Sequence, residues 1–461
     1  MKFDIAIIGS GPGGYVAAIR ASQLGKSVAI IERSELGGIC LNWGCIPTKA
    51  LLKSAQVFDY INHASDYGIT VGSHNADFDG MVKRSRGVAA NMSKGVEFLM
   101  KKNKITVIKG AGKLAGKGKI SVTNEGKTET VEADHIILAT GARSRELPNV
   151  KMDGTHIIGY REAMVLPKQP KEMIVIGSGA IGMEFAYFYS TIGTKVTIVE
   201  FLPRILPIED EEVSKTMALY YRKKGIDIMT ESSVEKVEVK GERCVVTIKG
   251  KDGEKQMECD VVLSAAGVQT NLENLGLEEM GIKSDKGKLV VDEYYRTNIP
   301  NVYAIGDIVP GPALAHVASA EAIICIENIC GVHTEPLNYG NIPGCTYTHP
   351  EVASVGLTEA QAKEKGYDIL VGKFPFSASG KASAGGHKDG FVKVIFDKKY
   401  GEWLGCHMIG EGVTDMIIEA VVARNLETTG HEIIKSVHPH PTMSEAVMEA
   451  VAQAYGECIH L

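Results

Sequence analysis

The sequence predicts an α/β chain of two Rossmann-like units followed by a C-terminal α+β module. Length is the first reason, since 461 residues with 44% apolar side chains exceed one core and fit about three domains. The second is an internal repeat: FDIAIIGSGPGG near the start is echoed by EMIVIGSGAIGM around residue 177. The third is a change of texture after about residue 341. There alternating strand-like runs (FVKVIF, WLGCHMI) surround helix-like ones (TEAQAKEKG, TDMIIEAVVARN).

In each copy of the repeat an apolar, β-rich run ends in GxGxxG, a helix-like segment follows, and a second apolar run closes on an acid. Gly9, Gly11 and Gly14 lead to VAIIE ending at Glu32, and Gly177, Gly179 and Gly182 lead to VTIVE ending at Glu200, with equal spacing from last glycine to acid. The first glycine permits the tight strand-to-helix turn, the second lets backbone approach a pyrophosphate, and the third allows helix to pack on sheet. Amides at the helix N-terminus then hold phosphate charge, and the acid accepts from ribose hydroxyls. One GxGxxG is weak evidence, but two in the same strand, turn, helix and strand context predict two bound dinucleotides. Glu200 favours NAD over NADP, because a carboxylate there repels a 2'-phosphate and no arginine immediately follows it.

Two further strand exits lie between and after the copies, HIILATGARSRELP at 135–148 and NVYAIGDI at 301–308, the latter ending in Gly306 and Asp307. Net charge is −6 and basic residues are scattered, so nucleic acid is not expected as a partner. The apolar run near Lys2 mimics a short signal peptide, but Asp4 and the packed glycines argue against one. No uninterrupted apolar stretch is long enough to predict a membrane span. A soluble, cytoplasmic protein is expected, the first strand following Met1 directly.

The nine cysteines lack the dense spacing of a secreted disulfide scaffold, so most should be reduced. GGICLNWGCIPTK, at 37–49, places Cys40 and Cys45 with four residues between them. A structural disulfide, half a metal site and a redox pair can all be written this way. A zinc site wants two more ligands at suitable spacing, and none is evident nearby. Closing a disulfide over this spacing requires a bent segment, which Gly44 permits. Cys325 and Cys330 have the same spacing within the apolar helical run SAEAIICIENICG, with no glycine between them, and read as core thiols.

HPHPTMSEAVMEA, at 438–450, offers His438, His440 and Glu445. An HxH pair can bind metal, but no clear third ligand accompanies it, and no metal is expected. A dithiol attacks a disulfide only as thiolate, so at neutral pH a base must take its proton. Histidine oriented by a carboxylate suits that task.

Taken in order, the first GxGxxG, CxxxxC, ATG, the second GxGxxG, GD and HPHPTMSE resemble the flavoprotein disulfide reductases along essentially the whole chain. The resemblance implies FAD on the first copy, held through Gly9, Gly11, Gly14, Glu32, Lys49, Thr140, Gly141, Asp307 and Ala315. It implies NAD on the second, through Gly177, Gly179, Gly182, Glu200 and Gly267. Cys45 would be the sulfur against the flavin and Cys40 the one that exchanges with substrate. Lys49 would lie beside the flavin, paired with Glu184. His440 would be the base and Glu445 its orienting partner, with no catalytic role for His438. The implied domains are 1–144 for FAD, 145–271 for NAD, 272–341 completing the FAD site, and 342–461 as the dimerisation domain. A homodimer would then build each active site from two subunits.

Within that family the chain is most similar to the branch that oxidises dihydrolipoyl groups of 2-oxo acid dehydrogenase or glycine cleavage complexes, so lipoyl domains are the expected partners. A sibling reductase using NADPH on a glutathione-like disulfide is the nearest rival. Those enzymes usually carry tyrosine where this chain has Ala180, and arginines after the second ribose-binding strand, where this chain reads VEFLPRILP with Arg204 set apart. Relatives with an extra C-terminal cysteine pair are disfavoured, since YGECIHL has only Cys458. A mainly structural subunit of a multienzyme complex is the third reading.

Overall fold

In the computed structural model, which describes residues 1–251 and 253–461, the chain separates into two units, each assembled from segments distant in sequence. Residues 1–51, 77–145 and 267–337 form the first, and 52–76, 146–266 and 338–461 the second. Among the described residues no helix is long and apolar enough to cross a membrane.

The first unit is built on β1 (Lys2–Ile8), α1 (Pro12–Gln23) and β2 (Val28–Glu32). β1 pairs in parallel with β2 on one side and with the Lys127–Leu138 strand on the other. Ile5, Ala6 and Ile7 are fully buried, which is why β1 reads as a continuous apolar run instead of alternating. The strands Thr106–Lys109, β2, β1, Lys127–Leu138, Lys119–Asn124 and Ala111–Leu114 lie side by side in that order. Val302–Ala304, from NVYAIGDI, adds in parallel to Lys127–Leu138. A segment some 160 residues away thereby reaches the carboxyl end of the sheet, where open α/β sheets bind ligands.

The second unit repeats this plan. Glu172–Ile176 and Lys195–Val199 pair in parallel around the helix Ala180–Thr191, within a five-stranded sheet. A three-stranded antiparallel meander, Ser233–Lys240, Arg243–Gly250 and Gly253–Cys259, branches from it. The C-terminal segment supplies a five-stranded antiparallel sheet in the order Gly344–Thr346, Glu351–Gly356, Trp403–Gly410, Phe391–Asp397, Ile369–Pro375. Helices Val413–Asn425 and Glu445–Ala454 pack on it, contributing Met416, Ile417, Val447 and Val451 to its core.

One side chain in this sheet departs from strand alternation. Alternation in FVKVIF would point Lys393 to solvent, but every residue of Phe391–Asp397 is buried and the Lys393 side chain is 2% exposed. Its ammonium meets Asp210 at 3.0 Å, Glu212 at 2.9 Å and Glu359 at 2.6 Å. Burial works against the charge, yet the three carboxylates outweigh it and hold the lysine above its ordinary pKa.

Candidate active site

The two glycine turns are the same device used twice. Gly9 and Gly177 have φ of 105° and 96°, and a Cβ on either would run into a neighbouring strand's carbonyl, that of Ala139 or of Ala265. A Cβ on Gly14 or Gly182 would collide with the carbonyl of Gly9 or Gly177, so the helix can only sit this close without one. Gly11 and Gly179 differ, since a Cβ there would meet nothing within 4 Å. Each turn therefore leaves open space above the helix N-terminus, where a pyrophosphate fits.

The acids are held in matching fashion. Glu32 accepts from the Ser10 amide at 2.9 Å and the Ser10 hydroxyl at 2.6 Å, and its other oxygen accepts from the Ser34 amide. Glu200 accepts from the Ser178 amide at 2.8 Å and hydroxyl at 2.6 Å, with the Leu202 amide on its other oxygen. Both carboxylates are thus fixed at the rim of their cradle. Arg204 is turned onto the Pro207 carbonyl.

Cys40 and Cys45 form a disulfide with Cα atoms 4.7 Å apart. The bend expected at Gly44 is a break between helices: α2 (Gly38–Trp43) stops, Gly44 takes φ −144° and ψ −115°, and α3 (Cys45–Asn62) begins. Cys45 thus stands at the N-terminus of an eighteen-residue helix, whose amides and dipole favour a thiolate once the bond is reduced.

What clamps this segment is not visible as a motif. The helix Phe78–Lys102 lays four side chains across it, all donating to carbonyls: Arg84 to Ala50, Ser85 to Pro47, Arg86 to Asn42 and Ser93 to Leu36. The Arg86 guanidinium also stacks over Trp43, 3.9 Å from the ring centre. Asn42 and Thr48 close the bend from within, donating to Gly38 and Gly44 carbonyls. The polar triplet Arg84–Arg86 in a helix was the only signal in the sequence.

The two histidines of HPHP are held differently. His438 presents Nδ1 to the Ser436 carbonyl and Nε2 to Glu419, at 2.9 and 2.8 Å. Both partners are acceptors, and the Glu419 carboxylate holds the ring above its ordinary pKa. His440 presents only Nδ1, to Glu445 at 2.8 Å. Its ring is 77% exposed. With Nδ1–H donated to the carboxylate, Nε2 keeps its lone pair directed outward, the arrangement a general base needs. Burial would raise the Glu445 carboxyl, but the Thr442 amide at 2.8 Å and His440 outweigh it and keep it ionised.

The remaining predicted positions are placed as follows. Lys49 lies one turn into α3. Glu184 is buried on Ala180–Thr191 and accepts from the Tyr347 amide at 3.0 Å. Thr140 exchanges hydrogen bonds with Asn271, and Gly141 has φ 65°. Asp307 follows the Val302–Ala304 strand, and burial raises its carboxyl. Ala315 opens the helix Ala315–Ile329. Gly267 has φ 104° and accepts from the Arg145 amide through its carbonyl. The cysteines and first cradle belong to one unit, and the second cradle, Glu184 and His440 to the other.

Comparison with known proteins bears on this constellation directly. Residues 3–322 match the pyridine nucleotide-disulphide oxidoreductase family, and residues 342–451 match its dimerisation domain. A dihydrolipoyl dehydrogenase of Zymomonas mobilis is 51% identical over 99% of both chains. One of Rhizobium etli is 51% identical over 100% of this chain and 99% of its own. The crystal structure of LpdA from Mycobacterium tuberculosis aligns with a TM-score of 0.91 at 27% identity, covering 98% of this chain and 99% of that one.

Proposed function

Because this chain belongs to the pyridine nucleotide-disulphide oxidoreductase family, we infer that it has dihydrolipoyl dehydrogenase activity, oxidising dihydrolipoyl groups with NAD as acceptor. The observation that carries the reading is the Cys40–Cys45 disulfide at a helix N-terminus, in a chain half identical over its whole length to dihydrolipoyl dehydrogenases. FAD fits the first cradle and NAD the second, since Gly11 and Gly179 leave the space a pyrophosphate needs. When bound, FAD accepts the electron pair from the enzyme dithiol and passes it to NAD.

The protein's own part is thiol–disulfide exchange and proton transfer. A dihydrolipoyl thiol gives its proton to Nε2 of a His440, and the thiolate attacks the Cys40 sulfur, breaking the Cys40–Cys45 bond and leaving Cys45 as thiolate. The second substrate thiol then attacks the substrate sulfur bonded to Cys40, its proton passing to the leaving Cys40 sulfur, so that the lipoyl ring closes and Cys40 is released as a thiol. Glu445 supports the imidazolium formed in the first step. Lys49, Glu184 and Asp307 are assigned to the flavin site, as are Thr140, Gly141 and Ala315; Gly267 is assigned to the NAD site.

The dimerisation domain supports a homodimer in which the C-terminal domain of each subunit completes the other's site, so that the partner subunit's His440 serves Cys40. The four-part division at residues 144, 271 and 341 belongs to the same reading, as do lipoyl domains as partners and a cytoplasmic location. An anaerobic assay tests the activity: NADH should form from NAD and dihydrolipoamide. NADP with reduced glutathione should give no turnover, and turnover with that pair alone would overturn both the substrate and the role of Glu200.

A further inference from the structure

A cavity of about 340 Å³ opens in the second unit, and among the histidines and carboxylates that line it three bring their ligand atoms together. His349 comes from the turn before the Glu351–Gly356 strand, His387 follows the helix Gly380–Gly385, and Glu411 follows the Trp403–Gly410 strand. One ligand atom from each lies within 4.8 Å of the other two. His349 Nδ1 and Glu411 Oε2 stand 3.2 Å apart. Both atoms are buried and, among the described residues, lack an aligned hydrogen-bond partner. An ordinary histidine–carboxylate pair would use that proximity for a straight hydrogen bond. Here that alignment is missing, and His387 brings a third ligand atom within 4.8 Å of both residues' ligand atoms.

The rings are held in place. The Tyr60 hydroxyl, from the last turn of α3, is 3.0 Å from His387 Nε2. The His349 and His387 rings meet edge to face at 5.4 Å. Gln56, also on α3, reaches the other oxygen of Glu411 at 3.4 Å. Motif spacing gives no hint of this cluster, because its members are scattered over positions 349, 387 and 411.

We propose that His349, His387 and Glu411 form a binding site for a first-row divalent transition-metal ion, with Zn²⁺ the expected occupant and Tyr60 orienting the His387 ring. Two imidazoles and a carboxylate are a borderline-soft donor set that suits zinc and its neighbours and not Mg²⁺ or Ca²⁺, which want oxygen alone. Bonds of about 2.0–2.2 Å to a tetrahedral ion put ligand atoms roughly 3.5 Å apart. The observed spread therefore closes with a shift of about an ångström, within reach of side-chain adjustment. Three protein ligands leave a fourth position open to the cavity, for water or an exogenous ligand. Cys40 and Cys45 belong to the first unit and all three ligands to the second, so the site shares no residue with the disulfide.

The test uses the FAD-loaded dimer, kept oxidised so that Cys40 and Cys45 cannot chelate. Equilibrium dialysis with Zn²⁺ and elemental analysis should find one ion per chain at concentrations on the order of 10 μM. His349→Ala and His387→Ala should each weaken binding at least tenfold, because losing a ligand costs more than losing an outer-shell partner, itself worth about 10–100-fold. His460→Ala and Cys458→Ser, in the same unit but outside the cavity lining, should bind as the parent does. Co²⁺ added to the unmodified protein gives a readout independent of any variant's folding: weak visible bands of a nitrogen–oxygen site are expected. No uptake by the parent at about 100 μM, undiminished binding by both histidine variants, or an intense sulfur-to-cobalt band would each overturn the proposal.

Discussion

Cys40 and Cys45 share the spacing of Cys325 and Cys330, yet the first two are bonded and the second two are free thiols. On an unbroken helix five residues advance about 7.5 Å along the axis, beyond the Cα separation a disulfide spans. The helix Ala315–Ile329 keeps that course, with Cys325 buried in the core and Cys330 at its cap. Between Cys40 and Cys45 the helix stops and restarts, and the Cα atoms come to 4.7 Å. The intervening backbone therefore decides what the spacing means. Four serine and arginine side chains from Phe78–Lys102 then fix that backbone in place.

The comparison breaks most completely if the bonded pair proves dispensable. Cys45→Ser should abolish turnover of dihydrolipoamide while leaving bound FAD, read by absorbance, at the parent level; retained turnover would refute the redox role of the pair. His440→Gln should lower dihydrolipoamide turnover about a hundredfold, the lower end for a general base. His438→Gln should leave the rate within about threefold, since that ring is spent on Ser436 and Glu419 and truncating such a contact costs stability more than chemistry. Equal losses in the two variants would remove the distinction between them.

Gly44→Ala probes the break itself. A Cβ there would lie 3.1 Å from the Ile39 carbonyl oxygen and 3.3 Å from Cys40 Cα, and backbone atoms cannot swing aside as a side-chain tip can. Overpacking of this kind costs about 1–3 kcal/mol. A lowered thermal midpoint and a smaller disulfide fraction after air oxidation are expected. If neither changes, the glycine is incidental and the clamp alone shapes the bend.

How much of this could be read from residues alone follows from how local each feature is. The dinucleotide cradles were legible because strand, turn, helix, strand and acid fit within about thirty residues, and each glycine has a steric reason to be there. The interleaving of both units was not, since it depends on Val302–Ala304 joining a strand at 127–138. Ser85 and Ser93 reach carbonyls that carry no side-chain signature, so the clamp left no pattern. The burial of Lys393 was not legible because alternation ignores the three carboxylates on other segments. His349, His387 and Glu411 meet only after the sheet has formed.

Alkylation sharpens the comparison at the level of thiol chemistry. Burial raises the Cys325 and Cys330 thiols above their ordinary pKa, and a raised thiol pKa leaves less thiolate at any given pH. After reduction by dihydrolipoamide, iodoacetamide at pH 7 should label Cys40 or Cys45 and spare Cys325 and Cys330. Labelling of Cys330, the less buried of the two, should grow only as the pH is raised well above neutral, because burial raises its thiol. Peptide mass mapping reads this directly, and equal labelling of both pairs at pH 7 would contradict it.

The smallest effect is expected where the spacing occurs without the break. Cys325 is fully buried among Ile324, Ile326 and Ala322, so Cys325→Ser puts a hydroxyl into an apolar core. Four residues earlier on the same helix, the Glu321 carbonyl is within reach of a serine hydroxyl, the usual back-bond of serine in helices. Desolvation is then partly met, and the loss should stay near 1 kcal/mol. Cys330→Ser, at the half-exposed helix end, should lie within about 0.5 kcal/mol of the parent. Neither change should alter dihydrolipoamide turnover. A fall in turnover with Cys325→Ser, at unchanged FAD content and thermal midpoint, would mean that the second pair takes part in electron transfer and that the continuous helix does not silence it.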